Sequence, residues 1–235
     1  MSNFVIGNGL LAKAFKESKS KGCVFFCSGV SNSNEDNVEE FNREEKLLRT
    51  TIEKNSGLRL IYFSSVLVDS IKTPYFEHKK NMEKIIESEC VDYLILRISQ
   101  VAGISLNNNT LLSNFSRAVF YGKEIKVFQN ATRNLIDVDD VVRIFDILFN
   151  AGVKNKIINL CSKKDFKPSE LIYLIERSLG RKTTVKFLDR ESLQVCNCIE
   201  LNKYLAQDDV IYRGDYLKNI VEKYVRKIVF MSEYG

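Results

Sequence analysis

The feature that most constrains this 235-residue chain is an alternation. Short apolar runs rich in β-branched and aromatic residues recur along it, and between them lie longer stretches whose apolar residues fall three and four apart. A helix between two strands carries the chain back across the sheet, so the next strand joins in parallel. The expected strands are Phe4 to Ile6, Cys23 to Cys27, Leu58 to Phe63, Tyr93 to Ile98 and Lys156 to Leu160. Helices are expected at Leu10 to Lys19, Val38 to Lys54, Val138 to Phe149 and Pro168 to Leu179. In the third, Val138, Val141, Val142, Phe145, Leu148 and Phe149 share one face, and Asp137 stands in a capping position before it. The fourth has proline in its first turn and Gly180 just past its end. The fold class is therefore α/β, a mostly parallel sheet flanked by helices.

At 45% hydrophobic residues the chain can bury a full core. Its 35 basic and 30 acidic residues are interleaved, which describes a solvated surface and disfavours nucleic acid as a partner. The net charge of +5 suits a diphosphate-bearing ligand. No apolar run approaches the roughly 18 residues that would cross a bilayer, and the N-terminus lacks the pattern of a signal peptide. A soluble, cytoplasmic protein with no membrane partner is expected. The six cysteines are scattered and there is one histidine, so no zinc-ligand spacing exists; reduced thiols and no metal are expected. Cys196 and Cys198 fit an alternating strand, with a redox pair as the alternative.

Two motifs bear chemistry. After the first strand, Gly7-Asn8-Gly9-Leu10-Leu11-Ala12 has the form G-x-G-x-x-A and opens a helix. Glycines there let backbone N–H groups approach a pyrophosphate, and the small Ala12 lets the helix pack on the strand. By itself such a turn is as often a tight bend as a dinucleotide site, and the acidic residue usual about 20 positions on is missing. Further along, the strand ending in Ser64-Ser65 delivers hydroxyls where open α/β sheets hold ligands, and Tyr75 and Lys79 follow four residues apart on one helix face. An ammonium near a phenol favours the phenolate, so Lys79 is expected to draw the Tyr75 pKa down from about 10 and fit it for proton exchange. Ser65 is placed to hydrogen-bond the same substrate oxygen. The bland alternative for Tyr75 and Lys79 is an exposed helix pair, and the sole histidine, His78, is read as helix surface.

With these motifs and three later segments, LRISQVAG from Leu96, RNLIDVDDVV from Arg133 and the stretch beginning IINLCSKK at Ile157, the chain resembles the extended short-chain dehydrogenases/reductases, specifically the NAD-dependent epimerase/dehydratase family acting on nucleotide sugars. The resemblance implies a Rossmann-like domain over residues 1–165 with insertions around 104–135, and a small C-terminal substrate-binding lobe over 166–235. It implies an NAD or NADP cofactor lined by Gly7, Asn8, Gly9, Leu10, Leu11, Ala12, Ser28, Gly29, Ser64, Tyr75 and Lys79. Ser65, Tyr75 and Lys79 become the catalytic set, with Tyr75 as general acid/base, Lys79 as its activator and ribose ligand, and Ser65 as a hydrogen-bond donor. Ser65, Gln100 and Arg133 become substrate contacts, Arg133 as a guanidinium fork for the diphosphate. Its alternative is a surface ion pair. Asp139 and Asp140 are read as helix-terminus residues. Met82 to Ile86 could form a homodimer face, as in family members, or belong to the core.

The chain departs from the family pattern by passing from its first helix directly to a strand resembling the fourth, so two strands of the adenosine half are missing and the N-terminal half is shortened. Asp69 stands where a tyrosine is frequent, and Gln100 where an asparagine commonly meets substrate. The expected activity is 4-keto reduction or 4-epimerisation of a nucleotide-linked sugar in bacterial surface-polysaccharide precursor synthesis. A dehydratase is disfavoured because Val66-Leu67 follow Ser65 in place of an Asp-Glu pair. Two rivals stand: a binding or regulatory module with a degraded cofactor site and no turnover, and an enzyme acting on a non-sugar carbonyl.

Overall fold

A computed structural model describes residues 3–104, 110–192 and 196–234. In chain order the elements are β1 (Phe4–Ile6), α1 (Leu10–Phe15), β2 (Cys23–Phe26), α2 (Val38–Lys54), β3 (Arg59–Ser65), α3 (Pro74–Glu89), β4 (Tyr93–Ile98), β5 (Gln100–Ala102), α4 (Leu111–Phe120), β6 (Ile125–Ala131), β7 (Leu135–Asp137), α5 (Val138–Asn150), β8 (Lys156–Leu160), α6 (Pro168–Leu179), β9 (Val185–Ser192) and α7 (Tyr216–Tyr234). Short 3-10 turns at Ile199–Lys203 and Val210–Tyr212 precede α7. The chain forms two compact units. The first comprises Met1–Ser99, Val138–Leu160 and Cys198–Leu205; the second comprises Gln100–Asp137, Cys161–Asn197 and Ala206–Gly235.

The first unit holds a sheet in the order β1-β2-β3-β4-β8, with every adjacent pair parallel. Period-two alternation decides what each face buries. Val24 and Phe26 of β2, Leu60 and Tyr62 of β3 and Ile95 of β4 pack with Leu48 of α2 and Met82, Ile85 and Ile86 of α3. On the other face the rings of Phe25 and Phe63 meet Phe15 of α1 at centroid distances of 4.7 and 4.9 Å, and Phe145 of α5 lies 5.1 Å from Phe25. Strands buried on both sides read as continuous apolar runs, which is why β2 to β4 are plain in the sequence. Met82 and Ile86 are fully buried in this core, so that face of α3 is occupied by the chain itself.

The helices follow their end signals. Asn37 caps α2 by accepting from the Glu39 N–H at 2.9 Å, and α6 begins at Pro168 and stops at Gly180, whose φ is +65°. The first helix is shorter than its apolar pattern suggests. It ends at Phe15 because the chain then turns to place the Ser18 and Ser20 hydroxyls on Asp146 of α5, at 2.8 and 2.6 Å. Strand β3 ends two residues later than expected, since Ser64 and Ser65 stay in register with Arg97 and Ile98 of β4.

The second unit contains two parallel strand pairs, β5 with β7 and β6 with β9, and α4, α6 and α7 pack on one another. Asp137 at the end of β7 is held by α7: its carboxylate accepts from Lys223 Nζ and from the Tyr224 hydroxyl, each at 2.6 Å, and its N–H donates to the Tyr216 hydroxyl at 3.0 Å. The strand expected around Cys196 and Cys198 is corrected. Residues 196–198 have no regular structure, because β9 has ended at Ser192 and the chain is about to enter a 3-10 turn. All six cysteines are free thiols.

Candidate active site

The site grows from the C-terminal ends of β1, β2 and β3, the edge at which parallel α/β sheets bind ligands. At the end of β1, Gly7 adopts φ +117°, and a Cβ there would lie 2.5 Å from the carbonyl oxygen of Cys27. Only glycine permits that left-handed conformation and that approach. Gly9, the residue before α1, has no side-chain cap, and a Cβ on it would meet nothing within 4 Å. Gly7, Asn8 and Gly9 are exposed, Leu10 and Leu11 half-buried, and Ala12 fully buried against the sheet. The first glycine allows the bend, the second has open space beside it, and Ala12 provides close packing.

Ser28 and Gly29 form the turn after β2, half-buried beside the first glycine; the Ser28 N lies 3.1 Å from where a Gly7 Cβ would stand. At the end of β3 the Ser64 hydroxyl is buried with no hydrogen-bond partner among the described residues, and Ser65 is half-buried, its hydroxyl accepting from the Leu67 N–H at 3.3 Å. An orphaned buried hydroxyl is rare enough to mark a place where a ligand group fits. Together with the open space at Gly9, it makes this edge suitable for a dinucleotide.

Tyr75 sits in the first turn of α3 with its ring among Val30, Val68 and Phe76. Lys79, one turn on, is almost fully buried, with its ammonium 5.9 Å from the centre of the Tyr75 ring. An exposed helix pair is thereby ruled out. The ammonium is not free, however. Lys79 Nζ donates to Glu44 Oε1 at 3.0 Å and to the Tyr62 hydroxyl at 3.1 Å. Glu44, on α2, is fully buried and also accepts from the Tyr62 hydroxyl at 2.8 Å and the Val30 N–H at 2.7 Å. His78 Nε2 lies 3.1 Å from its other oxygen. The reading of His78 as helix surface is corrected: it is buried, stacked on Phe41 with centroids 4.6 Å apart.

Electrostatics follow from this geometry. Burial alone would raise the Glu44 pKa, but Lys79, His78, the Val30 N–H and the Tyr62 hydroxyl together bring it down to about 2. The Tyr75 phenol is a second correction. Burial in an apolar pocket pushes its pKa up and Glu44 adds to the rise, so the downward pull of Lys79 is present but outweighed. Tyr62, wholly buried beside Glu44, is likewise held well above the ordinary phenol value.

Asp69, in the loop between Ser65 and Tyr75, accepts from Arg97 at 2.6 Å and from Lys80 at 2.8 Å, and Arg97 forks onto the buried Glu83 at 2.8 and 2.6 Å. This clamp anchors the short loop to α3 and β4. Gln100 and Arg133 belong to the second unit. The Gln100 side-chain oxygen is buried without a partner among the described residues, while Arg133 Nη1 donates to the Thr132 carbonyl at 2.7 Å and its backbone bridges Phe166. Burial lowers the Arg133 pKa. Asp139 and Asp140 occupy the first turn of α5, and Asp140 pairs with Arg143 at 2.9 Å.

Glu44, Tyr62 and the role of His78 were missed in the sequence. Glu44 lies in the charged run EEFNREEKLL, yet with Leu48 and Thr51 it forms a buried i, i+4, i+7 stripe, the one signal that sets it apart.

Among solved structures the fold is similar to that of RMD from Pseudomonas aeruginosa complexed with NADPH, at TM-score 0.78 and 14% identity over 97% of this chain and 99% of that one. It is also similar to UDP-glucuronic acid 4-epimerase from Bacillus cereus in complex with UDP-glucuronic acid and NAD, at TM-score 0.75 and 16% identity over 95% and 79% of the two chains. A third likeness is UDP-N-acetylglucosamine 4-epimerase from Methanobrevibacter ruminantium M1 in complex with UDP-N-acetylmuramic acid, at TM-score 0.69 and 20% identity over 91% and 77%. Comparison with curated proteins by sequence finds no match. The family model for the NAD dependent epimerase/dehydratase family matches residues 8–161, from inside the glycine turn, through the Ser-Ser strand end and the Tyr75 helix, to the end of the sheet. That stretch is well over half of the molecule, and the chain belongs to the NAD-dependent epimerase/dehydratase family.

Proposed function

We propose that the protein is an NAD(P)-dependent enzyme acting on a nucleotide-activated sugar, by 4-keto reduction or 4-epimerisation. The observation that carries this reading is the buried Tyr75 and Lys79 pair on α3, at the same sheet edge as the open Gly9 turn and the unpartnered Ser64 hydroxyl. The UDP-sugar and nicotinamide ligands of the structural neighbours support the same class. Gly7 to Ala12 and Ser28 to Gly29 would hold the dinucleotide, which when bound supplies the hydride chemistry. Ser64 would satisfy its hydroxyl on the ligand, Ser65 would donate to the sugar oxygen, and Tyr75 would move the proton at that oxygen. Gln100 and Arg133 would contact the substrate, the guanidinium on its diphosphate. A cytoplasmic role in bacterial surface-polysaccharide precursor synthesis completes the proposal.

Calorimetric titration with NADH and NADPH, then reduced-nicotinamide absorbance with 4-keto sugar nucleotides and chromatography of UDP-sugar epimers, tests it directly. A Tyr75→Phe protein is expected to lose about 100-fold or more in turnover while keeping its circular dichroism. Unchanged turnover would remove the mechanism. Uridine or thymidine diphosphate should raise the melting temperature; no rise, with turnover on simple carbonyls, would move the substrate away from sugars. One observation favours the second reading, a module without turnover: the Lys79 ammonium is already paired with a buried carboxylate. Neither cofactor binding nor turnover on the full panel would establish that reading instead.

A further inference from the structure

We propose that Glu44 is a positioning residue of this site: from α2, its buried carboxylate seats the Lys79 ammonium between the Tyr62 hydroxyl and the bare α-carbon of Gly29, and ties the turn after β2 to the helix that carries Tyr75. Four groups from three parts of the first unit converge on one carboxylate of α2. Oε1 takes the Tyr62 hydroxyl at 2.8 Å and Lys79 Nζ at 3.0 Å; Oε2 takes the Val30 N–H at 2.7 Å and faces His78 Nε2 at 3.1 Å. A Cβ on Gly29 would lie 2.6 Å from Lys79 Nζ and 2.9 Å from Glu44 Oε1, so the turn packs directly on the ion pair.

Stability is a poor reason for such an arrangement. Replacing a buried ion pair by apolar groups of similar size is often neutral or stabilising, because desolvating two charges offsets their attraction. What the pair supplies is location: it fixes where a positive charge stands relative to Tyr75 and to the Ser28-Gly29 turn. It also meters that charge. Lys79 draws the phenol towards ionisation, whereas Glu44 opposes it, so the net field at Tyr75 depends on both. The charged and titratable groups converging here are Glu44 from α2, Tyr62 from β3, and His78 and Lys79 from α3, with Glu83 a turn further along α3 acting on Tyr62.

The catalytic consequence rests on the reading of Tyr75 as the acid/base, but the electrostatic one does not, and the experiment separates them. Ring-carbon-labelled tyrosine spectra, assigned with Tyr75→Phe, follow the Tyr75 phenol through its titration. In Glu44→Gln the titration should move down by about one pH unit, a tenfold change in the ionised fraction, because the ammonium is no longer countered. At the same time the Lys79 ammonium should lose its slow proton exchange in side-chain nitrogen spectra, since no carboxylate then seats it, and Glu44→Asp should bring both the midpoint and the ammonium signal back towards the original. An unmoved titration, or an ammonium that exchanges as slowly without Glu44 as with it, overturns the proposal. If the enzyme turns over, the basic limb of the kcat/KM profile should move with the phenol; a limb that stays fixed overturns the catalytic consequence. Absence of any turnover alongside a shifted titration instead removes the enzyme reading and leaves the positioning role. Should Glu44→Gln not fold, the wild-type protein still decides. Side-chain nitrogen spectra must then contain one slowly exchanging ammonium that vanishes in Lys79→Met, and its absence refutes the seat.

Discussion

Single residues at the sheet edge separate bending from binding. Gly7 carries a positive φ and has its α-hydrogen against the Cys27 carbonyl, so Gly7→Ala adds both strain and a clash. It should cost about 1–3 kcal/mol of stability, read from denaturant unfolding. Gly9 has a negative φ of −73° and open space around it. Gly9→Ala should leave the melting temperature nearly unchanged while weakening NADH or NADPH binding in a calorimeter, because the added methyl stands where a ligand's phosphates would approach. The bend at Gly7 and the placement of Tyr75 and Lys79 one turn apart on a helix were legible because they follow from spacing along the chain. The counter-ion of Lys79 was not: it comes from a residue 35 positions away, and only the spacing of Glu44 with Leu48 and Thr51 sets it apart from the charged residues around it.

Among the elements, β2, β3, β4 and α5 were plain for the same reason that they are stable. Each presents a continuous or one-sided apolar pattern, and the fold buries it. Phe145 of α5 is fully buried and meets both Phe15 and Phe25. Phe145→Ala should cost about 3–5 kcal/mol, and the loss should appear as a lower denaturant midpoint with little change in slope. The end of α1 and the end of β3 were less legible, because they are decided by partners distant in sequence. The end of α1 depends on Asp146, and the last residue of β3 on register with β4. Arg97 carries a local signal: a guanidinium inside an apolar strand requires acceptors, and the buried Glu83 and the exposed Asp69 supply them.

For the molecule as a whole, buried and clamped carboxylates set the acid limit of stability. Glu44 is the main one, its pKa lowered from the model-compound value of 4.5 to about 2. A group depressed in the folded state contributes fully above its unfolded value and loses that contribution as pH falls towards the folded one. The protein should therefore lose about 3 kcal/mol from Glu44 alone between pH 5 and pH 2. Asp69 and Glu176 shift in the same direction, held down by Lys80 and Lys182 respectively. Thermal melts across that range should show a steady fall in the wild type and a shallower one in Glu44→Gln.

The weave of the two units along the polypeptide sets the order in which the molecule can be made. The sheet's last strand, β8, is followed only much later by Cys198–Leu205, which completes the first unit. A ribosome must therefore release most of both units before either has all of its parts. The far edge of the sheet, at β8, waits for a 3-10 turn synthesised near the end, and no single scission separates the two units intact.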